Sequence, residues 1–215
     1  MKTLFIISSV IYPNHKNGFS YCDKRSIFKE DARFQQTIET VESIKQYAPE
    51  SDILRIEWWI QDVWDKVVWL PWLQYNYIGN DKLLRKIIDG KFKWAWESLI
   101  LYCGTKFVLL KEYDYIFKIS GRYLLNTNFE IESMFNKNKF TFLRSGKSYS
   151  TRLYSFDSYL SFLRRFYLLM FIVLSISRLS LEELRYYFLP KKIVANIVSL
   201  WVEWKGGVFA QNIKE

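Results

Sequence analysis

Hydrophobic and polar positions along the chain alternate in ways that predict strands and helices in turn. Residues 3–11 form an apolar run rich in β-branched residues and interrupted by Ser8 and Ser9, which is typical of an interior parallel strand. Between 27 and 47 apolar residues recur every three or four positions, which predicts one face of an amphipathic helix, and 52–57 read as a second strand. In 113–125 apolar residues recur with a period near two, as in another strand. This order predicts an α/β fold.

The second half of the chain contains shorter predicted elements. A helix is expected from about Lys93 to Leu110 and a short helix at 128–136. Two strands at 139–144 and 150–156 flank a hairpin signal, and 201–209 read as a closing hairpin or edge strand.

Composition restricts the class of protein. The 215 residues predict one domain with a full core, and 19% aromatic residues argue against disorder. Many aromatics fall in the Trp-rich segment 58–78, where both core packing and contact with sugars or bases are open. Two cysteines and one histidine give no disulfide framework and no zinc site, which suits a reducing, cytoplasmic compartment.

A net charge of +9 implies an anionic partner: nucleic acid, acidic lipid or a phosphorylated small molecule. Nucleic acid is the least expected of these three partners, because the chain has no block of consecutive Lys or Arg and no nucleic-acid motif. Residues 166–176 are apolar except for Ser175 but too few to span a bilayer, and basic residues flank them. Peripheral association with an anionic membrane and a buried helix both remain open for this segment.

The strand at 113–125 carries the most suggestive chemistry. Near its end stand Ser120, Gly121, Arg122 and Tyr123. A glycine lets backbone approach a ligand closely, and a guanidinium can donate two parallel hydrogen bonds to a phosphate. Ligands of open α/β sheets collect where strands end. These residues therefore predict a phosphate site, and the alternative is a plain hairpin with a solvated arginine.

The same stretch resembles a known family. Residues 113–126, with the phrase KISGRY, resemble the central strand of GT-A-type nucleotide-sugar glycosyltransferases, and in particular enzymes of bacterial and viral polysaccharide biosynthesis. Residues 26–57 resemble the first helix and second strand of the same proteins. The resemblance implies a single GT-A-like, Rossmann-like domain over 1–215 with a mixed, mostly parallel sheet. Its nucleotide-binding part would be 1–126 and its acceptor or accessory part 127–215.

The resemblance includes a chemical departure. Where the family has an acidic metal-binding triplet, this chain has Ser120, Gly121 and Arg122, whereas Lys118 keeps its place. Without the acidic pair there is no hard oxygen cage for Mg²⁺ or Mn²⁺, so no cofactor is expected; a divalent metal stays open as an alternative that the motif does not support. Lys118 and Arg122 would neutralise the diphosphate of the donor instead.

Further donor-binding residues follow from the resemblance. They lie at the tip of the first strand, in the basic loop after it and at the start of the helix near 93: Ser8, Ser9, Arg25, Lys93 and Glu97. A solvated loop and an ordinary helix start explain the same residues without a ligand.

Candidates for the chemistry and for the acceptor come from the later part of the chain. Ser180 and Glu183 form a capping box, and an acidic pair opening a late helix resembles the catalytic base of GT-A enzymes, so Glu182 and Glu183 are the catalytic candidates. Arg152 is the candidate for binding the acceptor or a phosphate, with a solvated strand residue as the alternative.

Taken together, these features predict a glycosyltransferase that moves a sugar from a nucleotide-sugar donor to a glycan acceptor, in a surface polysaccharide or a glycoprotein. Two other functions remain open. One is a protein of the same fold that binds a nucleotide or glycan without transferring it, and the other is a basic nucleic-acid-binding domain.

Overall fold

The computed structural model of the chain describes residues 1–11, 28–58, 62, 65, 70, 73–82, 84, 85, 93–106, 108–134, 140–145, 148–157, 191–194 and 202–204. Its regular elements are, in chain order, β1 (Thr3–Ser9), α1 (Glu30–Tyr47), β2 (Asp52–Glu57), β3 (Leu73–Tyr77), α2 (Lys93–Gly104), β4 (Tyr115–Ser120), β5 (Tyr123–Leu125), β6 (Phe140–Ser145), β7 (Ser148–Asp157), β8 (Lys191–Val194) and β9 (Val202–Trp204).

Seven of the strands form one sheet in the order β3-β2-β1-β4-β7-β6-β8. Neighbours β3, β2, β1 and β4 are all parallel, β7 is antiparallel to both β4 and β6, and β8 is parallel to β6. The predicted fold class is therefore confirmed: a mixed, mostly parallel sheet flanked by helices. Strands from both sides of residue 126 join this sheet, while β5 and β9 form a separate antiparallel pair.

The sheet is buried on both faces, which explains the four consecutive apolar residues Leu4–Ile7 of β1. On one face Phe5, Ile7 and Phe117 pack with Val41 and Ile44 of α1. On the other face α2 supplies the packing partners, through Ile100 and Leu101, for Leu4, Ile6 and Ile56. Successive residues of a strand point to opposite faces, so a strand between two helical layers must be apolar at nearly every position.

Helix α1 forms where the three- and four-residue spacing of apolar residues predicts it, although it begins at Glu30 rather than at 27. Glu30 and Asp31 in the first turn suit the positive end of the helix dipole. The helix ends at Tyr47 because Pro49 disfavours helical backbone at the residue before it, and Ala48 closes the turn with a hydrogen bond to the Ile44 carbonyl.

The connections define where a ligand site is expected. The chain leaves β1, crosses one face as α1 and returns as β2 on one side of β1. It reaches β4, on the other side of β1, from α2 on the opposite face. The strand order therefore reverses between β1 and β4, and in open α/β sheets the crevice at the carboxyl ends of such strands holds the ligand.

Several predicted boundaries differ from the structure. The strand predicted over 3–11 ends at Ser9, the helix predicted to Leu110 ends at Gly104, and only a 3-10 turn at Glu132–Met134 lies within the predicted helix 128–136. Strands β3 and β8 were not predicted. Most of the Trp-rich segment and all of 158–190 lie outside the described residues, and Trp58 is buried. Among the described helices, none has the length and apolar character needed to cross a membrane.

One glycine fixes how closely α2 packs on the sheet. A Cβ added to Gly104 would lie 2.4 Å from Ile56 Cδ1 and 2.5 Å from Ile56 Cγ2. We expect Gly104→Ala to lower the free energy of unfolding by about 1–3 kcal/mol, because a core forced to accept an extra methyl must shift backbone or side chains. Urea denaturation measures this. If the loss is unchanged when Ile56 is also replaced by Ala, contact with Ile56 is not its cause.

Candidate functional site

The carboxyl ends of β1, β2 and β4 bring several predicted residues together. Ser8 faces Ser120 across the β1–β4 ladder, and Ser9 faces Glu57 across the β1–β2 ladder. The Gly121 amide donates to the Ser8 carbonyl at 3.1 Å, so pairing between β1 and β4 extends beyond β4. Gly121 and Arg122, the turn that follows β4, are called the tip below. The tip after β4 therefore lies at the point where the strand order reverses.

Packing inside the protein leaves little room for a side chain at Gly121. A Cβ there would lie 3.1 Å from Ser9 Cβ, 3.2 Å from Thr37 Oγ1 and 3.3 Å from Ile7 Cγ2. The Thr37 hydroxyl also contacts the Gly121 carbonyl oxygen at 3.2 Å, which connects the tip to α1. The sequence suggested that Gly121 lets a ligand approach the backbone closely. On the side of Gly121 that a Cβ would occupy, the groups that approach it belong to β1 and α1.

A residue that the sequence analysis did not single out, Arg33, lies beside the tip. It belongs to the first turns of α1 and is only 8% exposed. Its Nε donates a short hydrogen bond to the Val10 carbonyl, just beyond the end of β1. Nothing in the sequence signals this burial, because a charged residue inside a helix normally faces solvent.

Arg33 and Arg122 influence each other electrostatically. Burial and the positive charge of Arg122 lower the pKa of Arg33 to about 9, while Glu57 and Glu30 act in the opposite direction. Arg33 is therefore protonated at neutral pH, and its charged form is disfavoured by a neighbouring like charge. Two guanidinium groups that repel each other favour binding of an anion near both of them.

Lys118 lies in β4, two residues before Ser120, the last residue of the strand. Its side chain is 1% exposed, and its ammonium donates a short hydrogen bond to Glu97 Oε1 of α2 and a bond of 2.9 Å to Ser120 Oγ. The Tyr154 ring of β7 lies 5.8 Å from the ammonium. The buried ammonium fixes two more exposed side chains, Glu97 and Ser120, at the edge of the sheet. Contact of Lys118 with a phosphate of the donor stays a prediction.

A second buried ion pair lies on the opposite face, under the end of β1. Arg55 Nη2 and Glu57 Oε2 are 3.0 Å apart, and both side chains are fully buried. Ser9 joins the pair: its hydroxyl donates to Glu57 Oε2 at 2.7 Å and accepts from Arg55 Nε at 3.1 Å. The Ile11 amide donates to Glu57 Oε1 at 3.2 Å. Ser9 is one of the predicted site residues, whereas neither of its charged partners is.

Tyr123 connects the tip to β7. Its side chain is nearly buried, and the Arg152 guanidinium lies 5.3 Å from its ring. Burial raises the pKa of Tyr123, and Glu97 acts in the same direction, whereas the charges of Arg152 and Arg122 oppose the rise. Arg152 directly precedes Leu153, which faces Ile119 at the end of β4. The predicted acceptor residue therefore lies close to the predicted phosphate residue.

The remaining predicted residues are only partly placed. Lys93 is the first residue of α2, four residues before Glu97. Arg25, Glu182 and Glu183 lie outside the described residues.

In the part of the chain that the structure describes, the carboxylates at this edge of the sheet are few and lie apart. Among the described residues, no group of three or more His, Cys, Asp or Glu side chains is close enough together to hold one. Glu57 and Glu97 lie on opposite faces of the sheet, and each is already bound to a basic side chain. Mg²⁺ and Ca²⁺ need several convergent oxygen ligands, which these two carboxylates do not supply.

Comparison with known proteins identifies the fold. No protein-family model and no curated protein matches the sequence. Among solved structures, the glycosyltransferase GlyE from Streptococcus pneumoniae superposes with a TM-score of 0.55 at 9% identity, over 90% of this chain and 45% of GlyE. The galactosyltransferase LgtC, in complex with donor and acceptor sugar analogues, gives 0.52 at 9% identity, over 89% of this chain and 73% of LgtC.

A third similar structure has a differently named activity. It is 4-diphosphocytidyl-2C-methyl-D-erythritol synthase from Anaerococcus prevotii, with a TM-score of 0.50 at 12% identity, over 92% of this chain and 88% of that one. The chain has the GT-A-like fold of nucleotide-sugar transferases, as predicted, and it spans less than half the length of GlyE. Identities this low establish the fold alone, so the reaction has to be argued from the site.

Proposed function

We propose that this protein is a glycosyltransferase that binds a nucleotide-sugar at the carboxyl ends of β1 and β4 and transfers the sugar to a glycan acceptor. The observation that carries the proposal is the relation of Arg33 and Arg122: two positive charges, one of them nearly buried, at the point where the strand order reverses. A diphosphate between them would relieve their repulsion and accept hydrogen bonds from both.

The charges fit the chemistry of the transfer. An oxygen of the acceptor forms a bond to the anomeric carbon of the sugar while the bond from that carbon to the diphosphate oxygen breaks. The acceptor hydroxyl loses its proton to a base, for which Glu182 is our candidate, with Glu183 as the helix cap or second candidate. The leaving diphosphate gains a negative charge, and fixed guanidinium groups of Arg33 and Arg122 would stabilise that charge in the transition state.

The other residues take supporting roles in this proposal. Lys118 holds Glu97 and Ser120, and the Glu97 carboxylate, which is partly exposed, would accept a hydrogen bond from a sugar hydroxyl. Arg152, whose guanidinium lies 5.3 Å from the Tyr123 ring, would contact the acceptor. Ser8, Arg25 and Lys93 complete the proposed donor site. We further propose that the guanidinium pair takes the place of a divalent metal ion, because the nearby carboxylates are bound to Lys118 and Arg55.

The donor is tested by calorimetric titration of nucleoside diphosphates and a panel of nucleotide-sugars, in buffer containing EDTA. We expect at least one to bind, and we expect Arg33→Met to weaken that binding by about ten- to a hundredfold, since a charge-assisted hydrogen bond is worth roughly 1.5–3 kcal/mol. Lys111→Gln, an exposed change outside the proposed site, is the matched control. Binding by wild type and Arg33→Met with equal affinity would contradict the proposed site.

The reaction is tested by product analysis with the donor that binds. Glycosyl transfer or slow hydrolysis releases a nucleoside diphosphate, and we expect this product from wild type in the presence of EDTA. Binding with no release in the presence of candidate glycans would favour the non-catalytic alternative. Release of pyrophosphate from a nucleoside triphosphate and a sugar phosphate would show nucleotidyl transfer and overturn the proposal.

A further inference from the structure

Residues 9–11, where the chain leaves β1, are held by a set of polar contacts and are called the exit of β1 below. Ser9 and Ile11 both donate hydrogen bonds to the Glu57 carboxylate, and the Val10 carbonyl between them accepts one from Arg33. Three consecutive residues, 9 to 11, are thus fixed by two side chains. Beyond Ser9 the strand pairing has ended, so these bonds replace the ladder as the device that sets the direction of the chain.

Stability alone does not explain why charges occupy this position. Arg55 and Glu57 are fully buried, and a buried ion pair seldom stabilises a fold more than apolar residues of the same volume would. What an apolar pair could not do is accept hydrogen bonds from a backbone amide and a hydroxyl at once. The carboxylate of Glu57 does both, and Arg55 compensates its charge from the same strand.

We infer that Glu57 is a positioning residue for the donor site: through Ser9 and Ile11 it holds the exit of β1 where Arg33, bound to Val10, meets the diphosphate. This inference rests on the proposed function. Glu57 does not touch the diphosphate itself, since Ser9, Ile11 and Arg55 take up its carboxylate oxygens. Its effect on Arg33 is also electrostatic, because its negative charge favours the charged guanidinium.

The role predicts how binding depends on the ligand. If Glu57 acts through the exit of β1 and Arg33, its loss should weaken every ligand that carries the diphosphate, whatever the nucleobase. A residue that contacts the base would instead change the preference among nucleosides. A residue that only stabilises the fold would lower the melting temperature without changing the dissociation constant of the folded protein.

The experiment measures the dissociation constants of uridine, guanosine, adenosine and thymidine diphosphates and of inorganic pyrophosphate, for the full chain, at a temperature where circular dichroism shows every variant folded. We expect Glu57→Gln to weaken each ligand that binds wild type by about tenfold, pyrophosphate included. Ser9→Ala, which removes one of the two links, should weaken each by about threefold. Glu42→Gln, an exposed change on α1, is the control and should change none.

The outcomes separate this inference from the proposed function. If Glu57→Gln does not fold, Ser9→Ala decides the question. Wild-type affinities in the folded variants would overturn the positioning role, and so would a loss confined to one nucleobase with pyrophosphate unaffected. If wild type binds none of the probes, the proposed function itself is wrong and this inference falls with it.

Discussion

Replacing Arg122 by Gln is expected to remove nucleotide binding while leaving the unligated protein at least as stable as wild type. Loss of binding together with unchanged or higher stability of the free protein is the combination expected of a residue that serves binding and not folding. The charge of Arg122 disfavours the charged form of Arg33, so its removal relieves a repulsion when no ligand is present. With a diphosphate bound, the same charge supplies charge-assisted hydrogen bonds worth about 1.5–3 kcal/mol, or about ten- to a hundredfold in affinity.

Two measurements on the same samples test this. The melting temperature without ligand should equal or exceed that of wild type, and the rise in melting temperature on adding a saturating nucleoside diphosphate should be lost. Arg122→Lys is the matched variant: it keeps the charge but cannot donate two parallel hydrogen bonds, so intermediate binding is expected. An Arg122→Gln protein that melts lower and still binds normally would show that Arg122 is a structural residue and that the proposed site is misplaced.

Replacing Lys118 by Met should produce a large loss of stability. The ammonium is buried and bound to Glu97 and Ser120, so the methionine would leave a carboxylate and a hydroxyl at the edge of the core without their cation. Breaking a buried pair from one side costs about 3 kcal/mol or more. Thermal and urea denaturation should both show the loss.

A double-mutant cycle tests whether the pair itself is responsible. Glu97→Gln in the Lys118→Met background should recover a large part of the stability, because an amide tolerates the missing cation better than a carboxylate does. Lys2→Met is the control, since the Lys2–Asp52 contact is 3.8 Å long and exposed, and such pairs contribute about 0–1 kcal/mol. Additive losses from the two changes at 118 and 97 would mean that Lys118 stabilises the fold by packing alone.

The sequence predicted the central part of the fold because its strands are long and apolar. The second strand was placed with the observed bounds, and helix α1 within three residues of them. Strand β3 was missed because Leu73–Tyr77 contains Gln74 and Asn76 between aromatics and follows a segment whose many Trp residues suit either packing or binding. Four residues such as Lys191–Val194 are too few for periodicity to distinguish from a loop.

The predicted site residues that the structure brings together lie at the ends of predicted strands, as Ser8 and Ser9 do in β1. Ser120, Gly121 and Arg122 were recognised because they follow one strand, and the structure places them at the carboxyl edge beside β1. Arg33, Arg55 and Glu57 were not, because each lies inside an element where a charged residue normally faces solvent. Only the packing of α1 on the sheet shows that these three side chains are buried near the tip.

The pairing of β5 with β9 has a consequence for how the protein is made. Tyr123, next to the tip, is hydrogen-bonded in register with Trp204, from a far later part of the chain. A ribosome will therefore have produced β1, α1, β2 and β4 well before this flank of the tip can close. Pairings so distant in sequence form slowly because a long loop must be ordered first. A nascent chain stalled before residue 202 would contain the parallel strands, Arg33 and Arg122. It would lack β9, the strand that pairs with β5 next to the tip.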